Sequence, residues 1–133
     1  MYYFHVTPDR SDYLKLYPNQ LRILSSAYRR KKYPRVRNFL SLAKEVFIDS
    51  GMISAWTKKD VWWQDQQQYV IDYANEVNAD YCAMLDLPME PQKLKKNGVS
   101  PNDALAKTIE NAAAFVEASV SGTKVFVVQG YTL

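Results

Sequence analysis

Three short apolar runs in this chain each stop on a polar residue: Val46-Phe47-Ile48 at Asp49, Tyr81 to Leu85 at Asp86, and Val125 to Val128 at Gln129. Runs this short, bounded by turn residues such as Ser50-Gly51 and Gly130 and separated by helical patterns, predict buried strands of a parallel sheet. Two further strands are expected at Tyr2 to Val6, closed by Thr7-Pro8-Asp9, and at Leu21 to Ser26. A short helical segment falls around Tyr13 to Tyr17, and Pro34 can open a helix through Phe39, Leu40, Leu42 and Ala43. From Trp63 to Asn78 the positions Tyr69, Val70, Tyr73, Ala74 and Val77 recur at helical spacing, with Gln66, Gln67, Gln68, Asp72 and Glu76 opposite.

The clearest helix start is Ser100-Pro101-Asn102-Asp103, with Ser100 as cap, Pro101 in the first turn and Asp103 at the favourable end of the helix dipole. This helix is expected to reach Ala118, burying Leu105, Ile109, Ala112, Ala113 and Val116 while Lys107, Glu110, Asn111 and Glu117 stay wet. The prolines of Leu87-Pro88-Met89-Glu90-Pro91 argue against helix there, and Lys93, Lys95, Lys96 and Gly98 are expected to extend that loop. The order of elements, mostly β-α-β-α, defines the expected class: α/β, a parallel sheet of about five strands with covering helices. A complete (β/α)8 TIM barrel takes at least about 200 residues, so this chain supplies part of one, or an open sheet of its own.

Composition narrows the function classes. A chain of 133 residues, 47% hydrophobic and 23% charged, is expected to form one domain spanning 1–133. No apolar run approaches the roughly 20 residues of a membrane helix, so no membrane partner is expected. The start, Met1 to His5, lacks the basic leader of a signal peptide, and the expectation is a cytoplasmic protein. One cysteine and one histidine exclude a structural zinc site within these residues; no metal and no cofactor is expected. Cys82, inside an apolar run, reads as a small core residue. The net charge of +3 is modest, but Arg29, Arg30, Lys31, Lys32, Arg35 and Arg37 fall within nine residues, with Tyr28 and Tyr33 among them. On a loop such a run could hold phosphates and stack on bases, or it could be a solvated turn before a helix.

In parallel α/β sheets ligands bind beyond the carboxyl ends of the strands, where Asp49, Asp86 and Gln129 fall. A carboxylate beside Ser50-Gly51 can accept or deliver protons, and glycine admits a planar ligand close to the backbone. A second carboxylate and an amide can read the edge of a purine-like ring, the acid accepting N–H donors and the amide pairing with either kind of group. The plainer reading is that both aspartates cap the helices that follow them.

Family motifs bear on that choice. Phe47-Ile48-Asp49-Ser50-Gly51 resembles the Asp-Ser-Gly-Gly-Phe motif of tRNA-guanine transglycosylases, and Asn78 to Asp86 resembles their Gly-Ala-Asp-Ile-x-Met-x-Leu-Asp strand. Val127-Val128-Gln129-Gly130 is similar to their Val-Gln-Gly-Gly signature, and Thr108 to Ala112 stands where they carry Arg-Thr-x-x-Trp-Ala. The resemblance spans about Glu45 to Thr132. It implies part of a (β/α)8 barrel of the superfamily that exchanges guanine for a 7-deazaguanine in tRNA or DNA. Carried over, Asp49 and Asp86 are the catalytic carboxylates: Asp49 contacts the base and moves protons, and Asp86 recognises the base edge with Gln129 and the Gly130 backbone. Ser50 contacts ligand or orients Asp49, with Gly51 beside it.

Met52 and Ile53 stand where the family has Gly and an aromatic that stacks on the base, and Tyr131 replaces the second Gly after Gln129. The resemblance puts the family's nucleophilic Asp on a later strand and its zinc site later still, so the expectation is the base-recognition half of such a protein. Its expected partners are guanine or 7-deazaguanine, tRNA or DNA, and a second copy or partner chain completing the barrel. The alternative is a non-catalytic oligomeric α/β module, in which Trp56, Trp62 and Trp63 could form the interface or fill the core. A third reading is an enzyme of another α/β family using two catalytic carboxylates.

Overall fold

The computed structural model describes residues 4–6, 13–32 and 37–129. Five strands, β1 (His5–Val6), β2 (Arg22–Ser26), β3 (Glu45–Asp49), β4 (Tyr81–Ala83) and β5 (Thr123–Val125), form one sheet in the order β1-β2-β3-β4-β5, every neighbouring pair parallel. The expected α/β class is therefore the observed one. Because spatial order follows chain order without reversal, all five carboxyl ends lie along one edge and the sheet has no switch point.

Burial alternates along β2 and β3. Ile23, Ser25, Val46 and Ile48 are buried, whereas Arg22, Leu24, Ser26, Glu45, Phe47 and Asp49 are only partly so. The buried face carries the helices. Ser25 shares a hydrogen bond of 3.1 Å with the Tyr73 hydroxyl on α5 (Gln67–Glu76), and Phe115 on α7 (Pro101–Glu117) packs edge-on against Phe126 with ring centroids 5.4 Å apart. The opposite face holds an aromatic cluster, Phe4, Phe47 and Tyr81, with centroids 5.7–6.1 Å apart, and an Arg22–Glu45 ion pair. The apolar runs predict buried strands, and in β2 and β3 burial is in fact confined to alternate residues. Their β-branched residues alternate with Arg22, Ser26, Glu45 and Asp49, which is the period of a sheet with one covered face.

The remaining helices are short: α1 (Tyr13–Leu16), α2 (Ala27–Lys32), α3 (Arg37–Leu40), α4 (Met52–Thr57) and α6 (Pro91–Asn97), with a 3-10 turn at Val61–Asp65. Three expectations change here. The basic run lies mainly on α2 rather than on a loop, and the expected helix through Ala43 ends at Leu40; Pro34 and Arg35 lie outside the described residues. Pro91 opens a helix instead of excluding one, since its fixed φ and missing N–H suit the first turn, and Gly98 closes it at φ 65°. The core is filled by the helix-side residues of the strands together with Leu14, Trp56, Trp63, Tyr73 and Phe115. Trp56 and Trp63 are thus core residues, and Trp62 alone of the three is exposed. Among the described residues no helix is long and apolar enough to cross a membrane.

The helix α7 begins as the sequence suggests, the Ser100 hydroxyl accepting from Asp103 N–H at 3.1 Å. Its buried face is different. Ala104, Asn111 and Phe115 point inward, while Leu105, Ile109 and Val116 are 44%, 59% and 56% exposed. Likewise Gln67, expected on the wet side of α5, is buried. The cause is the backbone between β4 and α6, which these two amides serve.

Candidate functional site

Where β3 ends, the chain makes a tight turn into α4. Asp49 Oδ2 accepts the Gly51 N–H at 3.0 Å, and the Ser50 hydroxyl accepts the Met52 N–H at 3.3 Å. Gly51 sits at φ 74°, ψ 22°, a left-handed conformation that favours glycine. The Ser50 carbonyl is fixed from two sides, by Trp63 Nε1 at 3.1 Å and by the Tyr28 N–H at 3.2 Å. Tyr28 in turn donates its hydroxyl to Asp60 and packs edge-on to Trp63. Burial, and then the hydrogen bond to and charge of Asp60, push the Tyr28 phenol up to about 12. The Asp49 loop is therefore tied to buried aromatics before any ligand enters.

Ladder pairing of β4 stops at Ala83, and Asp86 lies three residues further on, outside any helix or strand. Buried backbone outside a sheet needs other partners. The Met84 N–H still reaches Val125 O at 3.0 Å, and the Leu85 N–H donates to Gln67 Oε1 at 2.6 Å. Leu85 O accepts Asn111 Nδ2 at 3.0 Å, and the Leu87 N–H donates to Thr108 Oγ1 at 3.0 Å. The Met89 N–H donates to Gln129 Oε1 at 3.2 Å, while Gln129 Nε2 donates to Asp86 Oδ2. Four side chains from α5, α7 and the segment after β5 thus position Asp86. Three of them, Gln67, Thr108 and Asn111, were not read as site-forming. Their signal was polar residues facing the core side of amphipathic helices, which hydrophobic periodicity discards. Replacing Asn111 by leucine should cost about 1–3 kcal/mol, because Leu85 O loses its buried partner; urea unfolding measures this, and an unchanged midpoint would contradict the role.

A cavity of about 190 Å³ opens at the carboxyl edge of the sheet, and Asp49, Ser50, Gly51 and Asp86 all line it. Register explains the convergence: Ser26 pairs beside Asp49 on β2 and β3, and Ile48 beside Cys82 on β3 and β4. Asp49 accepts the N–H of Gly51, the N-cap residue of α4, as the plainer capping reading expects, whereas Asp86 takes the Gln129 amide. Burial raises the proton affinity of Asp49, against the lowering effect of the Gly51 and Ser50 backbone N–H groups. Burial first, then the charges of Asp49 and Glu90, hold Asp86 at about 6. With its carboxyl held at about 6, Asp86 can gain or lose a proton at mildly acidic pH, and either carboxylate accepts N–H donors when ionised.

Gln129 adjoins the cavity through Asp86, with both ends of its amide bonded within the protein; Gly130 lies outside the described residues. Met52 is buried and Ile53 exposed, both on the cavity wall. Burial and the Asp49 charge push the Cys82 thiol up to about 12, which leaves it an inert core group. Of the basic run, Arg30 pairs with Glu76 and lies over the rings of Tyr69 and Tyr73, and Arg37 pairs with the same Glu76. Lys31 sits 3.9 Å over the Trp62 ring, and Lys32 belongs to α2. Arg29 lines the cavity. Among the described residues the run is thus divided among several tasks.

Fold and site together define an α/β protein with a two-carboxylate pocket at the carboxyl edge of a parallel sheet. Comparison with protein-family models, with curated proteins and with solved structures finds no match.

Proposed function

We propose that this protein recognises guanine or a 7-deazaguanine, as a free base or within tRNA or DNA, and is a transglycosylase-like protein of the cytoplasm. The observation that carries the reading is the convergence of Asp49 and Asp86 on one cavity, with Gln129 bonded to Asp86. Guanine offers adjacent N–H donors on one edge, which an ionised carboxylate accepts in pairs. Asp86, held by Gln129, is the acceptor for that edge. Asp49, on its glycine turn, is placed to contact the ring and move a proton. Further support comes from the unreversed strand order and the single helix-covered face, the arrangement of a parallel barrel wall, in which Phe4, Phe47 and Tyr81 would face inward. A lone buried thiol is at ease in a reducing compartment.

The test is thermal denaturation with guanine, 7-deazaguanine and adenine. Guanine and its 7-deaza analogue should raise the midpoint and adenine should not, since adenine has neither the N1–H nor the 2-amino group beside it. Equal or absent shifts with all three would sink the reading.

A second reading, an oligomeric interaction module, is favoured by a different observation. Leu105, Ile109 and Val116 on α7 and Phe126 and Val128 after β5 are all exposed, Val128 at 95%, beside the edge strand β5. A second copy is the proposed cover, because two identical edges can pair about a two-fold axis and satisfy both. Sedimentation should then show a dimer that Ile109→Glu with Val116→Glu converts to monomer; a wild-type monomer at high concentration would refute it.

A further inference from the structure

The cavity has a second chemical end that base recognition does not use. Across the sheet, its lining runs from Ser26 at the end of β2 and Arg29 on α2, through Asp49 on β3 to Asp86 beyond β4. Ser54, on the first turns of α4, adds a hydroxyl to the lining. Two strand spacings separate the β2 side from the β4 side, about 10 Å. A purine ring held at Asp86 is shorter than that span, whereas a base joined through its sugar to a phosphate covers it. Of the basic run, Arg29 lines the cavity, while Arg30 and Arg37 pair with Glu76 and Lys31 lies over Trp62.

We propose that Arg29, with the hydroxyls of Ser26 and Ser54, forms an anion subsite, so that the pocket takes a guanine nucleotide, base at Asp86 and phosphate at Arg29. This rests on the base-recognition reading and names the substrate class of the same site. A guanidinium carries five N–H donors in a planar fork, a number that lets one arginine meet a phosphate and a protein partner together. A serine hydroxyl donates to a phosphate oxygen without adding charge. Between the two ends stands Asp49, whose burial favours its protonated form and so weakens its repulsion of a phosphate. The phosphate belongs either to a free mononucleotide or to a nucleic-acid strand; the recognising chemistry is the same.

Calorimetric titration of the full chain with guanosine, guanosine 5′-monophosphate, inorganic phosphate and a single-stranded pentanucleotide carrying one central guanine tests this. The monophosphate should bind at least about tenfold more tightly than guanosine, and Arg29→Gln should collapse that difference. If the pentanucleotide binds more tightly than the mononucleotide, the phosphate is that of a strand; the reverse order identifies a free nucleotide, and either order supports the subsite. Equal affinity for guanosine and its monophosphate in the wild type, or a difference that survives Arg29→Gln, overturns it. The two readings fail separately. If guanosine does not bind and Asp86→Asn leaves the monophosphate affinity unchanged while Arg29→Gln abolishes it, the anion subsite stands and base recognition falls.

Discussion

Gly51→Ala should destabilise the protein by about 2–4 kcal/mol and remove ligand binding together with it. The left-handed backbone costs an L-residue roughly 1–2 kcal/mol. A Cβ there would overlap Ser26 Oγ and stand 2.9 Å from Tyr28 Cβ and 3.2 Å from Ser26 Cβ. Rotating the Ser26 hydroxyl relieves the first contact, but the other two belong to atoms next to the backbone of β2 and α2 and yield only if those elements shift. Since the same turn carries Asp49 and Ser50 into the cavity, strain there displaces the site. Gly98→Ala is the control. It also has positive φ, but nothing lies within 4 Å of its Cβ, so only the backbone cost of about 1–2 kcal/mol should remain. Urea denaturation of both variants measures the difference; equal losses would show that the close approach at Gly51 is not what holds the turn.

Asp86→Asn should weaken guanine binding by at least about tenfold, because the neutral amide offers one acceptor where the carboxylate offers two. The same substitution should stabilise the unliganded protein at neutral pH. Asp86 titrates at about 6 when folded, above the ordinary carboxylate value near 3.9. The folded state therefore holds this proton more tightly than the unfolded state does. Its contribution is most favourable below about pH 4, is lost as pH rises from about 4 to 6, and stays lost above that. Discounted for partial exposure, the penalty is about 1 kcal/mol, or roughly 3–5 °C in Tm. Asp86→Asn should gain that much at pH 7.5 and nothing at pH 4. Ligand donors favour the ionised carboxylate, so guanine affinity of the wild type should fall about tenfold between pH 8 and pH 5. A flat pH profile would mean that the carboxylate does not meet the ligand.

The strand ends were legible because chemistry and geometry coincide there. The stretch Val46-Phe47-Ile48 stops at Asp49 where β3 stops, with Ser50-Gly51 making the turn, and Ser100-Pro101 opens α7 as expected. Harder to read was everything that serves backbone without ladder partners. Gln67 and Asn111 looked solvent-exposed on helical wheels, yet both are buried because Leu85 needs a donor and an acceptor. The apolar face of α7 was misassigned for the same reason: once Asn111 and Thr108 turn inward, Leu105, Ile109 and Val116 must turn out. Hydrophobic periodicity registers water avoidance but not backbone demand. The basic run was read as one element because charge is visible in sequence, whereas the pairing of Arg30 and Arg37 to Glu76 spans 46 and 39 residues.

The central claim is that Asp49 and Asp86 form one base-binding pocket, and backbone amide NMR during guanine titration addresses it most directly. Saturable chemical-shift changes should appear at Ser50, Gly51, Met52, Asp86 and Leu87, and should vanish in Asp86→Asn. Changes confined to α7 and β5, or none at saturating guanine, would contradict it.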